Sequence, residues 1–157
     1  MIRRAEPGDA AVLSALCWAA KEHWGYPPEW MEIWRVELTL TPGYIAREPV
    51  FVAEGREGIV GFFGLRLDEV RSHLEHLWVK PAHLGRGCGR HLFEAAVRLA
   101  RALGAEVMHI KADPNAEKFY LKMGAVRAGA EEYVMSGGHR RVLPLLAYPL
   151  SSRGSGT

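Results

Sequence analysis

The hydrophobic positions of the first forty residues follow a helical period. The short segment at 2–4 predicts a strand, and apolar residues then recur every three or four positions in a helix that ends near Glu22. A second pattern of this kind begins after the turn sequence Gly25-Tyr26-Pro27-Pro28 and continues to a break at Pro42-Gly43. The chain is therefore predicted to open as strand, helix, helix.

Between residues 50 and 79 the period changes to that of extended strands. Three apolar or alternating stretches, at 50–53, 59–67 and 74–79, are separated by short polar turns. Short turns join antiparallel neighbours, so these stretches predict three successive antiparallel strands.

A strongly amphipathic helix is predicted next, because apolar residues from Leu92 to Leu103 again repeat at three and four, and Gly104 ends the pattern. The remaining elements are a strand, a helix and two strands, predicted at 106–110, 115–123, 126–134 and 142–148. The order β-α-α-β-β-β-α-β-α-β-β indicates an α/β protein of the α+β type. We expect a mixed, mostly antiparallel central sheet of about seven strands, flanked by about four helices.

Length and composition indicate one globular domain. The chain has 157 residues, of which 48% are hydrophobic and 24% charged, and this suffices for a single buried core. We assign residues 1–150 to this domain and expect the polar tail at 151–157 to be disordered.

Charge and cysteine content limit the partners. Lys and Arg number 20 against 18 for Asp and Glu, a formal net charge of +2, far from the basic excess typical of nucleic-acid-binding surfaces. The two cysteines, Cys17 and Cys88, lie outside any metal-binding spacing, so we expect no metal and two reduced thiols. No apolar run approaches the ~18 residues of a membrane span, and the N-terminus lacks a signal-peptide core. We expect a cytoplasmic protein that binds neither nucleic acid nor membrane.

The strongest chemical signal is the stretch LEHLWVKPAHLGRGCGRHLF at 74–93. An apolar strand ends before Pro81, three glycines follow at Gly85, Gly87 and Gly89, and the amphipathic helix then begins. Glycine lets backbone approach a ligand closely, and the first amides of a helix have no partner within it. Together with the helix dipole this favours a phosphate or pyrophosphate, although an ordinary turn and helix cap would use the same residues.

Two motifs together resemble the GNAT superfamily of acyl-CoA-dependent N-acyltransferases. One is the strand-loop-helix segment LEHLWVKPAHLGRGCGRHLFEAAV, and the other is the later segment DPNAEKFYLKMGAV. The resemblance covers nearly the whole chain and implies the GNAT fold. A dinucleotide-binding βαβ unit would place such glycines after its first strand, whereas here they follow an antiparallel meander.

The resemblance implies a groove for coenzyme A, with acetyl-CoA as co-substrate. The pyrophosphate would be held by the loop residues Leu84, Gly85, Arg86, Gly87, Cys88, Gly89 and Arg90. Leu84 stands where the family pattern has Gln or Arg, so we expect backbone amides to do most of the binding. The pantetheine arm would contact the main chain of Leu77, Trp78 and Val79, and the side chain of Asn115, which would also cap the following helix.

The chemistry requires a base and an acid. An alkyl ammonium with a pKa near 10 is only about one part in a thousand deprotonated at neutral pH, and the departing thiolate must gain a proton. Glu75 and His73 share one face of the strand before the loop, and either is a candidate base, directly or through water. By resemblance Tyr120 is the general acid and also contacts the cofactor. The alternatives are a solvated Glu or His on a half-exposed strand, and a buried core tyrosine.

Aromatic residues crowd the predicted acceptor side. Trp24 and Tyr26 lie in the turn between the first two helices and are candidates for a wall that holds a cationic amine. Trp30 and Trp34 fit a core stripe instead. The basic segment at 137–141 is either a solvated hairpin or a contact for an acceptor carboxylate.

The sequence therefore predicts an N-acetyltransferase that moves acetyl from acetyl-CoA to a primary amine by direct attack in a ternary complex. A non-catalytic acyl-CoA-binding sensor or partner module is the alternative. The acceptor would be a small molecule or a peptide, and a homodimer would cover edge strands and the aromatic helices.

Overall fold

The computed structural model describes residues 1–151 and has seven strands and five α-helices in that part of the chain. The strands are β1 (Ile2–Arg4), β2 (Val50–Gly55), β3 (Gly58–Asp68), β4 (Arg71–Val79), β5 (Val107–Lys111), β6 (Val126–Val134) and β7 (Arg140–Pro149). The helices are α1 (Ala10–Glu22), α2 (Pro28–Ile33), α3 (Pro42–Arg47), α4 (Cys88–Ala102) and α5 (Glu117–Lys122). Residues 152–157 of the tail predicted to be disordered lie outside the described residues.

The strands follow the order β1-β2-β3-β4-β5-β7-β6 in a seven-stranded sheet. β2 pairs antiparallel with both β1 and β3, and β7 pairs antiparallel with both β5 and β6. β4 and β5 run parallel, with Arg71, Ser72 and His73 opposite Val107, Met108 and His109. The predicted mixed, mostly antiparallel sheet is confirmed.

The chain folds as two compact units, each with its own interior. Within the described residues, the first comprises Met1–Gly64 and His76–Phe93, and the second comprises Leu65–Glu75 and residues 94–151. Fully buried side chains of the first unit include Leu13, Cys17, Met31, Ile45, Phe62 and Leu92. Those of the second unit include Leu65, Ala96, Ala100, Met108, Ile110 and Leu146. All of these residues except Ile45 lie within predicted strands and helices.

The N-terminal region has one helix more than the hydrophobic pattern predicts. Pro42 and Gly43, expected to break a helix, instead begin α3, because proline is tolerated in a first helical turn where its missing N–H is not needed. The hydroxyl of Thr41 accepts a hydrogen bond from the Tyr44 amide at 3.1 Å and caps this helix.

The second predicted helix is shorter than expected. α2 ends at Ile33, and turns replace the helix over the residues that follow. Because the amide of Leu38 still donates to the carbonyl of Trp34 at 2.9 Å, both side chains remain buried at the predicted helical spacing. The apolar pattern thus located the buried positions correctly but overestimated the length of regular helix.

Candidate active site

The glycine loop before α4 has a backbone that other residues adopt only with strain. Gly85 and Gly87 have φ angles of 76° and 83°, in the left-handed region that costs an L side chain about 1–2 kcal/mol. A Cβ placed on either glycine would meet no atom within 4 Å. Glycine is therefore required here by the φ angle and not by lack of space, and the room beside the loop is open to a ligand.

The start of α4 supplies amides that the helix itself does not use. The amide of His91 donates to the carbonyl of Gly87 at 3.0 Å and begins the hydrogen-bond ladder of α4. The amides of Cys88, Gly89 and Arg90 precede this bond in the first turn, where a helix leaves its N–H groups without partners of its own. Orphan amides at a helix N-terminus, preceded by a left-handed glycine turn, form a nest for anionic oxygens.

The structure limits what Leu84 and Cys88, two of the predicted loop residues, can contribute. The amide of Leu84 already donates to the carbonyl of Pro81 at 3.3 Å and is therefore not open to a ligand, and the Leu84 side chain is 45% exposed. Burial raises the pKa of the Cys88 thiol, so this residue stays protonated at neutral pH. Cys88 is thus a small residue at the helix start and not an activated nucleophile.

The main chain of β4 presents alternate residues to its neighbour β3. The amide of Lys80 donates to the carbonyl of Val60 at 2.8 Å, and the carbonyl of Trp78 lies 2.8 Å from the point where Gly61 would carry a Cβ. Since successive residues of a strand point their polar groups to opposite sides, those of Leu77 and Val79 face away from β3. The geometry therefore favours Leu77 and Val79, rather than Trp78, for main-chain contacts with a ligand.

The carboxylate of Glu75 is engaged by an arginine. Its Oε1 accepts a hydrogen bond from Nε of Arg66 at 2.6 Å, and the two side chains are 34% and 46% exposed. To take a proton from an amine, this oxygen would have to give up the contact with the guanidinium group. Arg66 was not among the residues that the sequence singled out, because the pairing depends on the register between β3 and β4.

His73 lies in a different environment, although it shares the strand. Its Nε2 is buried and has no hydrogen-bond partner in the described part of the chain. The pKa of His73 is lowered first by this burial and then by the positive charges of Arg66 and His109, while Asp68 and Glu75 oppose the change. The imidazole is therefore neutral at neutral pH, the form in which it can accept a proton.

Tyr120 and Asn115 lie close to one buried carboxylate, that of Asp113. Oδ1 of Asp113 accepts hydrogen bonds from the backbone amide and from Nδ2 of Asn115, at 2.9 and 3.0 Å. Asp113, rather than Asn115, thus caps the short turn before α5. Tyr120 is 7% exposed. Burial raises the pKa of its phenol well above the ordinary value, and the charge of Asp113 raises it further.

The basic segment at 137–141 is satisfied within the chain. Arg140 Nη1 contacts Glu132 Oε1 at 2.7 Å on the surface. Arg141 is buried, with Nη2 at 3.8 Å from Asp113 Oδ2 and Nη1 at 3.4 Å from the Tyr133 hydroxyl. Both guanidinium groups have a carboxylate partner, so this segment gives no reason to expect an acceptor carboxylate.

The aromatic turn between α1 and α2 separates into a packed and an exposed part. Tyr26 contacts Trp30 and Trp34, with ring centroids 5.9 and 4.9 Å apart. The ammonium group of Lys21 lies over the rings of Tyr26 and Trp34, at 5.1 and 4.4 Å, so a cation of the chain itself already uses these faces. Trp24 is 40% exposed, whereas Tyr26, the other predicted acceptor residue, is half-buried.

Neither a metal centre nor a membrane helix occurs in the described residues. No group of three or more His, Cys, Asp or Glu side chains within 1–151 could hold a metal ion. No helix in this part of the chain has both the length and the apolar composition needed to cross a membrane.

A mixed sheet with an anion-binding nest at the start of α4 defines the class of acyltransferases that bind coenzyme A. The family model described as "Acetyltransferase (GNAT) family" matches residues 11–125, more than half of the chain. This protein therefore belongs to the GNAT acetyltransferase family. Comparison with curated protein sequences gave no match.

Solved structures share this fold over nearly the whole chain. A GCN5-related N-acetyltransferase (aminotransferase, class-II) from Rhodopseudomonas palustris has a TM-score of 0.80 and 27% identity, and the match covers 96% of this chain and 95% of that one. PaiA N-acetyltransferase from Thermoplasma acidophilum, in complex with coenzyme A, has a TM-score of 0.74, 17% identity and coverages of 95% and 98%. YncA from Salmonella typhimurium, with its cofactor acetyl-CoA, has a TM-score of 0.69, 21% identity and coverages of 100% and 97%.

Proposed function

We propose that this protein transfers an acetyl group from acetyl-CoA to a primary amine by direct attack in a ternary complex. The observation that carries the proposal is the left-handed glycine turn at Gly85 and Gly87, which leads into the first-turn amides of α4 at 88–90. Such a nest suits the pyrophosphate of coenzyme A, the ligand found in the related PaiA structure. Arg86 and Arg90 are both exposed and add positive charge beside it.

The pantetheine arm and the reacting carbonyl would use the main chain of β4. Leu77 and Val79 direct their polar groups away from β3, so they can pair with the amides of the arm as a neighbouring strand would. The amide of Leu77 is also our candidate donor to the oxyanion of the tetrahedral intermediate.

We assign the base to His73 rather than to Glu75. The imidazole of His73 is neutral and its Nε2 has no partner among the described residues, whereas the Glu75 carboxylate is bound to Arg66. In this arrangement Glu75 neutralises the nearby guanidinium group and so tunes His73 by charge.

Tyr120 is the proposed general acid. Because its pKa is raised, the phenol keeps its proton throughout the neutral range and is always in the form that can donate. Asn115, held by Asp113, is the proposed contact for the pantetheine amides.

With these roles, atoms and protons balance in the proposed reaction. The amine nitrogen forms a bond to the acetyl carbon, and the carbon–sulfur bond breaks with its electron pair going to sulfur. The ammonium loses two N–H protons, and one of them leaves to solvent through His73. Tyr120 gives its own proton to the sulfur, and the second proton from the nitrogen restores the phenol. The products are therefore the amide, free coenzyme A and one proton.

Glu75→Gln separates the two candidate bases. If His73 is the base, the plateau of kcat/KM is retained and the acidic limb moves to lower pH, because loss of the Glu75 charge lowers the pKa of His73 further. If Glu75 is the base, kcat/KM falls at every pH, on the order of 10²-fold or more. His73→Gln should show that general loss instead.

The acceptor would be a small molecule or a peptide whose amine approaches the exposed ring of Trp24. Tyr26 is the second residue of this proposed acceptor wall. Trp24→Ala should raise the KM for the amine several-fold and leave the KM for acetyl-CoA unchanged.

The free thiols of Cys17 and Cys88 suit a reducing compartment, so we retain the proposal of a cytoplasmic location. A homodimer remains a proposal that sedimentation would test.

A further inference from the structure

A second histidine, His109, stands directly opposite His73. The two are register partners across the parallel pair β4 and β5, and their ring centroids are 5.5 Å apart with an interplanar angle of 30°. Both side chains are half-buried. His109 is not part of any motif in the sequence. The two rings come together only through the register between strands that are more than thirty residues apart in the chain.

Besides His109, one positive and two negative side chains act on His73 by charge. Arg66 and Asp68 lie on β3, Glu75 on β4 and His109 on β5. Arg66 and Glu75 form an ion pair at 2.6 Å, and Asp68 supplies a further negative charge. His109 is the one group in this set that, like His73, carries an imidazole ring.

Two imidazoles at this distance compete for a proton. An imidazolium beside another imidazole disfavours a second positive charge, and the effect is larger when the rings are withdrawn from water. A proton on His109 therefore makes protonation of His73 harder. The orphaned Nε2 of His73 lacks a hydrogen-bond acceptor in the described residues that would favour its protonated form.

We propose that His109 is a positioning residue that competes with His73 for a proton and so keeps the His73 imidazole neutral and able to accept the proton of the amine. This inference rests on the proposed function, in which His73 is the base. The presence of His109 would extend the pH range in which the enzyme is active toward acidic pH, where a lone histidine would already be protonated.

The coupling is measured without any turnover. Histidine-labelled protein is titrated by NMR, with the His73 signals assigned from their loss in His73→Gln. In His109→Gln the midpoint of His73 should move to higher pH than in the unaltered protein. Lys111→Gln is the matched control: it removes a positive charge from the same strand, two residues further on, but one that is 55% exposed and paired with Glu131. It should leave the midpoint in place.

An unchanged or lower His73 midpoint in His109→Gln overturns the proposal. If the amide NMR spectrum shows that His109→Gln is unfolded, His109→Asn is used as the second variant. The same shift of the His73 midpoint is expected for it. This readout is independent of the proposed function, because it needs neither acetyl-CoA nor an amine.

The catalytic consequence is read from the pH dependence of kcat/KM. In His109→Gln the acidic limb should move upward, so that kcat/KM at pH 6 falls about threefold relative to its plateau, while the plateau itself is retained. A general loss at every pH with an unmoved limb would mean that His109 only packs against its neighbours, and would contradict the proposed role.

Discussion

At the scale of single residues, the loop before α4 depends on backbone conformation more than on side-chain charge. Gly85 and Gly87 hold positive φ angles, the backbone conformation from which anion-binding nests are built. Leu84 contributes no charged contact, and Arg86 and Arg90 are exposed to solvent, where their charges are screened. Binding of the pyrophosphate should therefore be more sensitive to the glycines than to the arginines.

Gly87→Ala should weaken binding of coenzyme A about tenfold, because alanine at φ 83° strains the loop by about 1–2 kcal/mol and displaces the amides. Arg86→Gln should weaken it no more than about threefold. Titration calorimetry with coenzyme A measures both.

Gly104→Ala is the control for this comparison, since Gly104 has a φ of 89° and no atom within 4 Å of a Cβ, but lies at the end of α4. It should cost similar stability and leave the affinity unchanged. Full affinity in Gly87→Ala together with its loss in Arg86→Gln would reverse our account of the loop.

The pH dependence also belongs to the residue scale. The lowered pKa of His73 means that the base is protonated only below the ordinary histidine value of about 6.5. The acidic limb of kcat/KM should therefore lie below pH 6.5, with full activity above it. A limb above pH 6.5 would exclude His73 in this environment as the base.

At the scale of elements, the sequence predicted the strands well and the partners of their side chains poorly. The apolar or alternating stretches and the polar turns between them predicted β2, β3, β4, β6 and β7 to within a few residues. Helix α3 was missed, since Pro42-Gly43 can begin a helix as well as end one. The pairs His73–His109, Glu75–Arg66 and Arg141–Asp113 depend on register between separate segments, which one sequence does not reveal.

The pair Arg141–Asp113 joins β7 to the turn before α5 in a buried setting. The side chains are 8% and 11% exposed, so removal of one partner leaves an uncompensated charge away from water. Arg141→Met should lower the free energy of unfolding by about 3–5 kcal/mol, measured by urea denaturation. The double variant Asp113→Asn with Arg141→Met should recover part of this loss.

The neighbouring Arg140 provides a matched control for that measurement. It pairs with Glu132 at 2.7 Å, but the side chains are 75% and 52% exposed, so Arg140→Met should cost less than about 1 kcal/mol. Equal losses in Arg140→Met and Arg141→Met would show that the buried pair does not hold the two elements together.

At the scale of the whole molecule, the order of the elements and the two motifs identified the family, and the family model and the solved structures confirm it. The fold does not choose the acceptor, because acceptor contacts come from side chains that vary on a shared scaffold. The aromatic turn illustrates this limit: its place in the sequence grouped Trp24 with Tyr26, but Trp24 is exposed and Tyr26 is half-buried against Trp30 and Trp34.

The central claim is that the protein catalyses acetyl transfer, and an amine screen with acetyl-CoA tests it most directly. Thiol release and the acetylated amine are measured together, for the unaltered protein and for Tyr120→Phe. We predict equal amounts of free thiol and acetylated product with at least one amine, and a fall in kcat on the order of 10²-fold or more in Tyr120→Phe. Tight binding of coenzyme A without turnover of any amine would contradict the claim.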